Sequence, residues 1–135
     1  MTKTFKVAAF YCFTSLEEEL ILNLKDELLK LQIEELSGLL ILAEEGINGT
    51  ICGCEEIIDT AFELIRKFVG KIDLNKKITF TNQKIFKKLK IKIKSEIVTM
   101  GISLIDPISD RGTYLDAHEW NKLLKDQNTL VIDTR

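Results

Sequence analysis

Proline is nearly absent from this 135-residue chain, with Pro107 as the single example, and His118 and Trp120 are likewise the only residues of their types. So little proline excludes collagen-like and proline-rich repeats. No apolar run approaches the roughly 20 residues of a membrane-spanning helix. Met1 to Lys6 also lack the apolar stretch and small-residue site of a secretory leader. These absences predict a cytoplasmic protein with no membrane partner. Cysteine is scarce and odd in number, at Cys12, Cys52 and Cys54, so reduced thiols are expected rather than a disulfide framework. Structural zinc wants four ligands, with two or more residues between paired cysteines. Cys52-Gly53-Cys54 is spaced too closely, and only Cys12 and His118 remain, so no metal site is expected. His118 is predicted to face solvent from a helix.

What is present is ordinary for a folded domain: 45% hydrophobic and 30% charged residues. The length fits one domain, or one domain and a piece of another. The net charge of −2 hides an uneven distribution. Residues 1–70 carry −7, residues 71–94 carry +8 and residues 95–135 carry −3. One concentrated basic segment raises the question of an anionic partner.

Residues 5–13 are apolar in both alternating sets and read as a central strand. Ser15, three residues before Glu18, has the spacing of a capping box for a helix over 16–32. Leu16, Leu20, Leu24, Leu28 and Leu31 form its buried stripe. Residues 39–43 and 50–52 read as strands joined by a Gly-rich reversal over 44–49. A second helix is predicted over 55–69, stopped by Gly70. After a lysine-rich connection, Leu89, Ile91 and Ile93 alternate with Lys90, Lys92 and Lys94, the pattern of a half-solvated strand. Strand, helix, strand, strand, helix, strand is the α+β ferredoxin-like order, an antiparallel sheet with two helices on one face. A loop over 101–112 follows, then a short helix capped by Asp116 and a last apolar strand over Leu130, Val131 and Ile132.

Lys84, Lys87, Lys88, Lys90, Lys92 and Lys94 fall within eleven residues without one acid. Closely spaced cations of this kind suit phosphate binding. Lysines also discourage an edge strand from pairing with another chain, and the residues alone leave both readings open. An RNA reader of the RRM type needs stacking aromatics on its third strand, and Gly49 to Gly53 contain none. Acylphosphatase chemistry needs an arginine in the loop after the first strand, and Tyr11 to Ser15 offer none.

Three sets of residues carry a resemblance: Ala43 to Thr50 (AEEGINGT), Lys94 to Gly101 (KSEIVTMG), and Gly112-Thr113-Tyr114, Glu119-Trp120-Asn121 and Val131 to Arg135. In this order they resemble the bacterial rhodanese-domain tRNA uridine hydroxylases. The resemblance implies a ferredoxin-like domain over 1–96, a connecting segment over 97–115 and the truncated start of a rhodanese domain over 116–135. It implies oxygen-dependent 5-hydroxylation of the wobble uridine, with molecular oxygen as co-substrate, and leaves any cofactor open. The family's reactive cysteine lies in the rhodanese loop beyond Arg135, so no catalytic residue is expected in this chain. The partners implied are tRNA, docked through the six lysines, and the missing C-terminal rhodanese domain. Glu44, Glu45, Gly46, Asn48, Gly49 and Thr50 form one family-motif loop, and Glu96, Thr99 and Gly101 the motif after the last strand. A different reading is a noncatalytic module whose uncovered sheet face packs on a partner domain.

Overall fold

The computed structural model describes residues 3–70 and 74–134. Met1, Thr2, Lys71 to Asp73 and Arg135 lie outside the described residues, so the basic segment is followed from Leu74 and the closing Asp-Thr-Arg motif only as far as Thr134. Five strands, β1 (Phe5–Phe13), β2 (Ser37–Ala43), β3 (Gly46–Gly53), β4 (Asn75–Thr81) and β5 (Leu89–Ile93), form one sheet in the order β4-β1-β3-β2-β5. The helices are α1 (Glu18–Lys30), extended by a 3-10 turn over Leu31–Glu34, then α2 (Glu55–Val69) and α3 (Ala117–Leu123).

The ferredoxin-like expectation holds, with one correction to its last strand. The strand antiparallel to β1 that closes the order is β4, within the segment read as a connection. The lysine-alternating strand is a fifth one, β5, parallel to β2 at the opposite edge. β4 escapes notice because it is an edge strand whose side chains are mostly exposed. Its apolar residues are confined to Ile78 and Phe80 on one face, and the Lys76 ammonium sits 5.3 Å from the Phe62 ring centroid on that same face.

The core lies between the sheet and the two long helices. Ala8, Phe10 and Cys12 of β1, Leu40 and Leu42 of β2, and Ile47 and Ile51 of β3 meet Ile21, Leu24 and Leu28 of α1 and Ile58, Phe62 and Ile65 of α2. Each fully buried Leu or Ile stabilises the fold by about 1.5–3 kcal/mol, so the apolar stripes fix which helix faces point inward. Ser37, buried beside Cys52, donates its hydroxyl to the Cys52 carbonyl at 3.0 Å.

Three further local expectations change. α1 begins at Glu18 with Glu17 as N-cap and no side-chain cap, not with a Ser15 capping box. The reason is that Thr14 N and Leu16 N donate to Glu45 O at 3.0 Å and Glu44 O at 2.8 Å, holding residues 14–16 extended against the hairpin. The reversal between β2 and β3 is only Glu44-Glu45, since Ala43 already pairs with Gly46. Residues 130–132 form no strand and are exposed, paired with neither edge of the sheet. Asp116 does cap α3: its carboxylate accepts from Glu119 N at 2.8 Å and Glu119 returns a bond to Asp116 N at 2.9 Å.

Candidate functional site on the open sheet face

The helices cover one face of the sheet, and register defines the other. One row across it reads Lys77, Ala9, Thr50, Leu39 and Lys90, and the next reads Asn75, Tyr11, Asn48, Ile41 and Lys92. A small apolar and polar floor therefore has cations at both ends. Lys77 and Lys90 stand four strand steps apart, about 19 Å at about 4.8 Å per step. That span matches several phosphates of a nucleic acid chain rather than one.

Two segments fold over parts of this face. Phe86 packs on Phe5, Val7 and Cys52, pinning the loop that carries Lys84, Lys87 and Lys88. At the other end Tyr114 OH lies 3.4 Å from Tyr11 OH, which also accepts from Asn75 Nδ2 at 2.8 Å. The bond with Tyr114 and burial raise the Tyr11 pKa above 10.0, while Asn75 and the Arg111 charge oppose the rise. The chain's own loops thus cover the two ends of β1 on this face.

Between these covers the face stays open. A cavity of about 280 Å³ is lined by Ala9, Tyr11, Asn48, Thr50, Asn75 and Lys77. Its neighbour of about 180 Å³ adds Leu39, Ile41 and Phe86. A cleft of about 550 Å³ lies between Tyr11, Phe13 and Asn75 and the segment bearing Pro107, Arg111 and Tyr114. No carboxylate lines any of the three, in a chain with 21 acids.

The fold brings together Lys90, Lys92, Asn48 and Thr50 on this face. Lys84, Lys87 and Lys88 are exposed in the loop beside it, and Lys94 is exposed just past β5, its amide donating to Leu42 O at 2.9 Å. Glu44, Glu45 and Glu96 are not part of the face. Glu45 bonds Ile97 N, and Glu96 accepts from Met100 N at 2.6 Å and Gly101 N at 3.2 Å. Gly46 and Gly49 are positions of close backbone approach, and Thr99 is exposed. Lys77, Asn75 and Arg111 went unnoticed in the sequence; β-branched Ile78, Thr79 and Thr81 around Phe80 were the available signal for the strand that presents the first two.

The remaining candidates fall elsewhere. Cys12 and Cys52 are buried on opposite faces of the sheet, Cys54 is the N-cap of α2, and His118 is exposed on α3. Among the described residues no three His, Cys, Asp or Glu side chains gather into a metal-ligand set. Nor, among the described residues, is any helix long and apolar enough to cross a membrane. The loop after β1 has its Thr14 and Leu16 amides engaged by the hairpin, so those donors do not form an anion cradle.

The chain is similar to the tRNA uridine(34) hydroxylase of Prochlorococcus marinus (strain MIT 9515), 54% identical over 132 residues covering 97% of this chain and 43% of that protein. The protein of the same name from strain NATL2A is 44% identical over 132 residues, again 97% of this chain and 41% of its own length. The chain therefore spans less than half the length of these curated relatives. Among solved structures, a bacterial light-regulated adenylyl cyclase superposes with a TM-score of 0.50 at 14% identity, over 69% of this chain and 28% of that one, a likeness of fold alone. The model of the UPF0176 acylphosphatase like domain matches residues 5–97, from the first residue of β1 to the buried Ile97 beyond β5, and the chain belongs to that family.

Proposed function

We propose that this chain is the N-terminal part of a tRNA uridine(34) hydroxylase and that the open face of its sheet docks tRNA. The carrying observation is the pair of cross-sheet rows ending in Lys77, Lys90 and Lys92, in a chain matched over 97% of its length by proteins of that name. Lys84, Lys87, Lys88 and Lys94 extend the same positive surface. The residues that hold tRNA here are charges and amides, not nucleophiles. Oxygen-dependent hydroxylation at C5 of the wobble uridine belongs to the whole protein, whose reactive rhodanese cysteine lies outside this chain. Residues 1–96 form the docking domain, 97–115 the connector, and 116–135 the start of the rhodanese domain. Supporting that division, α3 carries a complete capping box, yet Trp120, Leu124, Leu130 and Ile132 are 48, 51, 83 and 76% exposed.

The test is tRNA affinity against salt. Replacing Lys77, Lys90 and Lys92 with Ala is expected to weaken binding and to flatten the log-log slope by about 2 to 2.7, at about 0.7–0.9 per phosphate contact. An unchanged affinity and slope would overturn docking on this face.

A further inference from the structure

We infer that the cleft between the open face and the 107–114 segment receives one unstacked nucleotide of RNA, with its base against Tyr114 and Tyr11 and its phosphate at Arg111. The inference rests on the tRNA reading above and names the subsite within it. Single-stranded RNA is read by splaying bases onto aromatic side chains and meeting their edges with hydrogen-bonding groups. Those chemistries converge here. Tyr11, Phe13 and Tyr114 line the cleft together with Arg111 and Asn75. Tyr114 is 72% exposed, so its ring is available to a base. Its hydroxyl meets Tyr11 at 3.4 Å, at the long end for a hydroxyl pair and readily exchanged for a ligand contact.

Size and charge agree. The cleft of about 550 Å³ continues through Tyr11 and Asn75 into the cavity of about 280 Å³ beside Lys77, within the roughly 300–1,000 Å³ of small-ligand sites. A phosphate at Arg111 meets no lining carboxylate, and Lys77 of the adjoining cavity is available to the next phosphate along the strand. Asn75 lines both the cleft and the cavity, and Asn48 lines the cavity beside Lys77; their amides can donate to and accept from a base edge. The lysines of β5 set the duplex-like part of the substrate on the sheet; the cleft takes the one base that leaves its stack.

The experiment measures anisotropy of 5′-labelled pentauridylate with the 135-residue chain, beside an abasic pentamer and uridine monophosphate. Tyr114→Ala is expected to weaken pentauridylate binding about tenfold, since stacking of one base is worth that much. Tyr114→Phe keeps the ring and should bind as the parent does. Arg111→Ala should lower affinity and flatten the salt slope by about 0.7. Both residues are exposed, so circular dichroism of the variants should match the parent. No detectable pentauridylate binding, equal affinity of the parent and Tyr114→Ala, equal affinity for the abasic pentamer, or equal affinity for the free monophosphate would each overturn the subsite. The tRNA salt titration with the lysine variant separates the two ideas. If tRNA binds through the lysines while pentauridylate ignores Tyr114, docking stands and the subsite falls; if pentauridylate depends on Tyr114 while tRNA ignores the lysines, docking on the rows falls.

Discussion

Glu45, in the two-residue turn between β2 and β3, accepts a hydrogen bond from the backbone amide of Ile97. One carboxylate thus ties the hairpin to the chain beyond β5, and the Ile97 side chain is buried at 6% exposure. A hydrogen bond to a charged group contributes about 1.5–3 kcal/mol. Glu45→Ala should therefore lower unfolding free energy by about 1–2 kcal/mol in urea titrations, given that Glu45 is only half-buried. Glu45→Gln keeps an acceptor and should cost less. A midpoint unchanged in the alanine variant would show the contact to be energetically idle.

Gly46 and Gly112 make opposite predictions for the same substitution. At Gly46 φ is +142°, and an added Cβ would stand 2.0 Å from the Cys12 carbonyl oxygen, which is backbone and cannot swing away. Gly46→Ala should cost about 3 kcal/mol or more, since overpacking alone costs about 1–3 and the conformation adds strain. At Gly112 a Cβ meets nothing within 4 Å, and Ala there should shift the melting temperature little. Equal melting temperatures for the two variants would refute the close approach of β1 and β3.

These glycines also show what was legible in the sequence. Buried stripes were: α2 spans Glu55–Val69 as its apolar spacing predicts, and β1 sits inside the sheet as its two apolar faces require. The Asn48-Gly49 pair carries the signature of a turn but lies within β3, because Gly49 is needed where a Cβ would come 2.3 Å from Leu39 O. Composition cannot distinguish a glycine that bends from one that makes room. β4 was hidden for a related reason. An edge strand buries few side chains, so its pattern is set by solvent and not by the core. The lysines of β5 were visible, whereas their alignment with Lys77 required the register of four strand pairs.

Lys6 predicts an alkaline effect on stability. Its ammonium lies 2.8 Å from Asp59 Oδ1 and 3.2 Å from Glu55 Oε1 with the side chain 13% exposed. The bond to Asp59 raises the Lys6 pKa above 10.5, burial opposes the rise and Glu55 adds to it. The folded state thus holds this proton more tightly than the unfolded chain does. The resulting stability is complete below pH 10.5 and is lost as pH rises through the folded-state pKa. Both carboxylates are well exposed, so the loss should stay under about 1 kcal/mol. Lys6→Met should show a shallower decline above pH 10.5, while retaining the contribution of Lys3, whose pKa is raised by its bond to Glu35. Parallel curves for parent and variant would exclude the pair.

Phe86 couples stability to the basic loop. Its ring packs on Phe5, Val7 and Cys52, the contact that holds Lys84, Lys87 and Lys88 beside the open face. Truncating a fully buried Phe costs about 3–5 kcal/mol; at this half-buried site Phe86→Ala should cost about 1–2. The variant should also bind tRNA more weakly at low salt, because the three ammonium groups lose their fixed placement. Phe86→Leu should restore most of both properties. Weaker stability with unchanged tRNA affinity would mean that the loop lysines do not touch RNA.

Trp120 reports on the surface beyond the connector. It is the only tryptophan, 48% exposed on a helix that buries none of its own residues, and it lines a groove of about 300 Å³ with Leu124, Leu130 and Ile132. Apolar side chains clustered at this exposure are the kind of patch that serves as an interaction surface. If residues 116–135 open a rhodanese domain, extending the chain to the length of its relatives should cover the indole. Its fluorescence maximum should then move to shorter wavelength and acrylamide quenching should fall. In the 135-residue chain the emission should be that of a wet indole, and Trp120→Ala should leave its unfolding midpoint nearly unchanged while destabilising the longer protein by about 3 kcal/mol or more. The same wet emission from both lengths would place the domain boundary elsewhere.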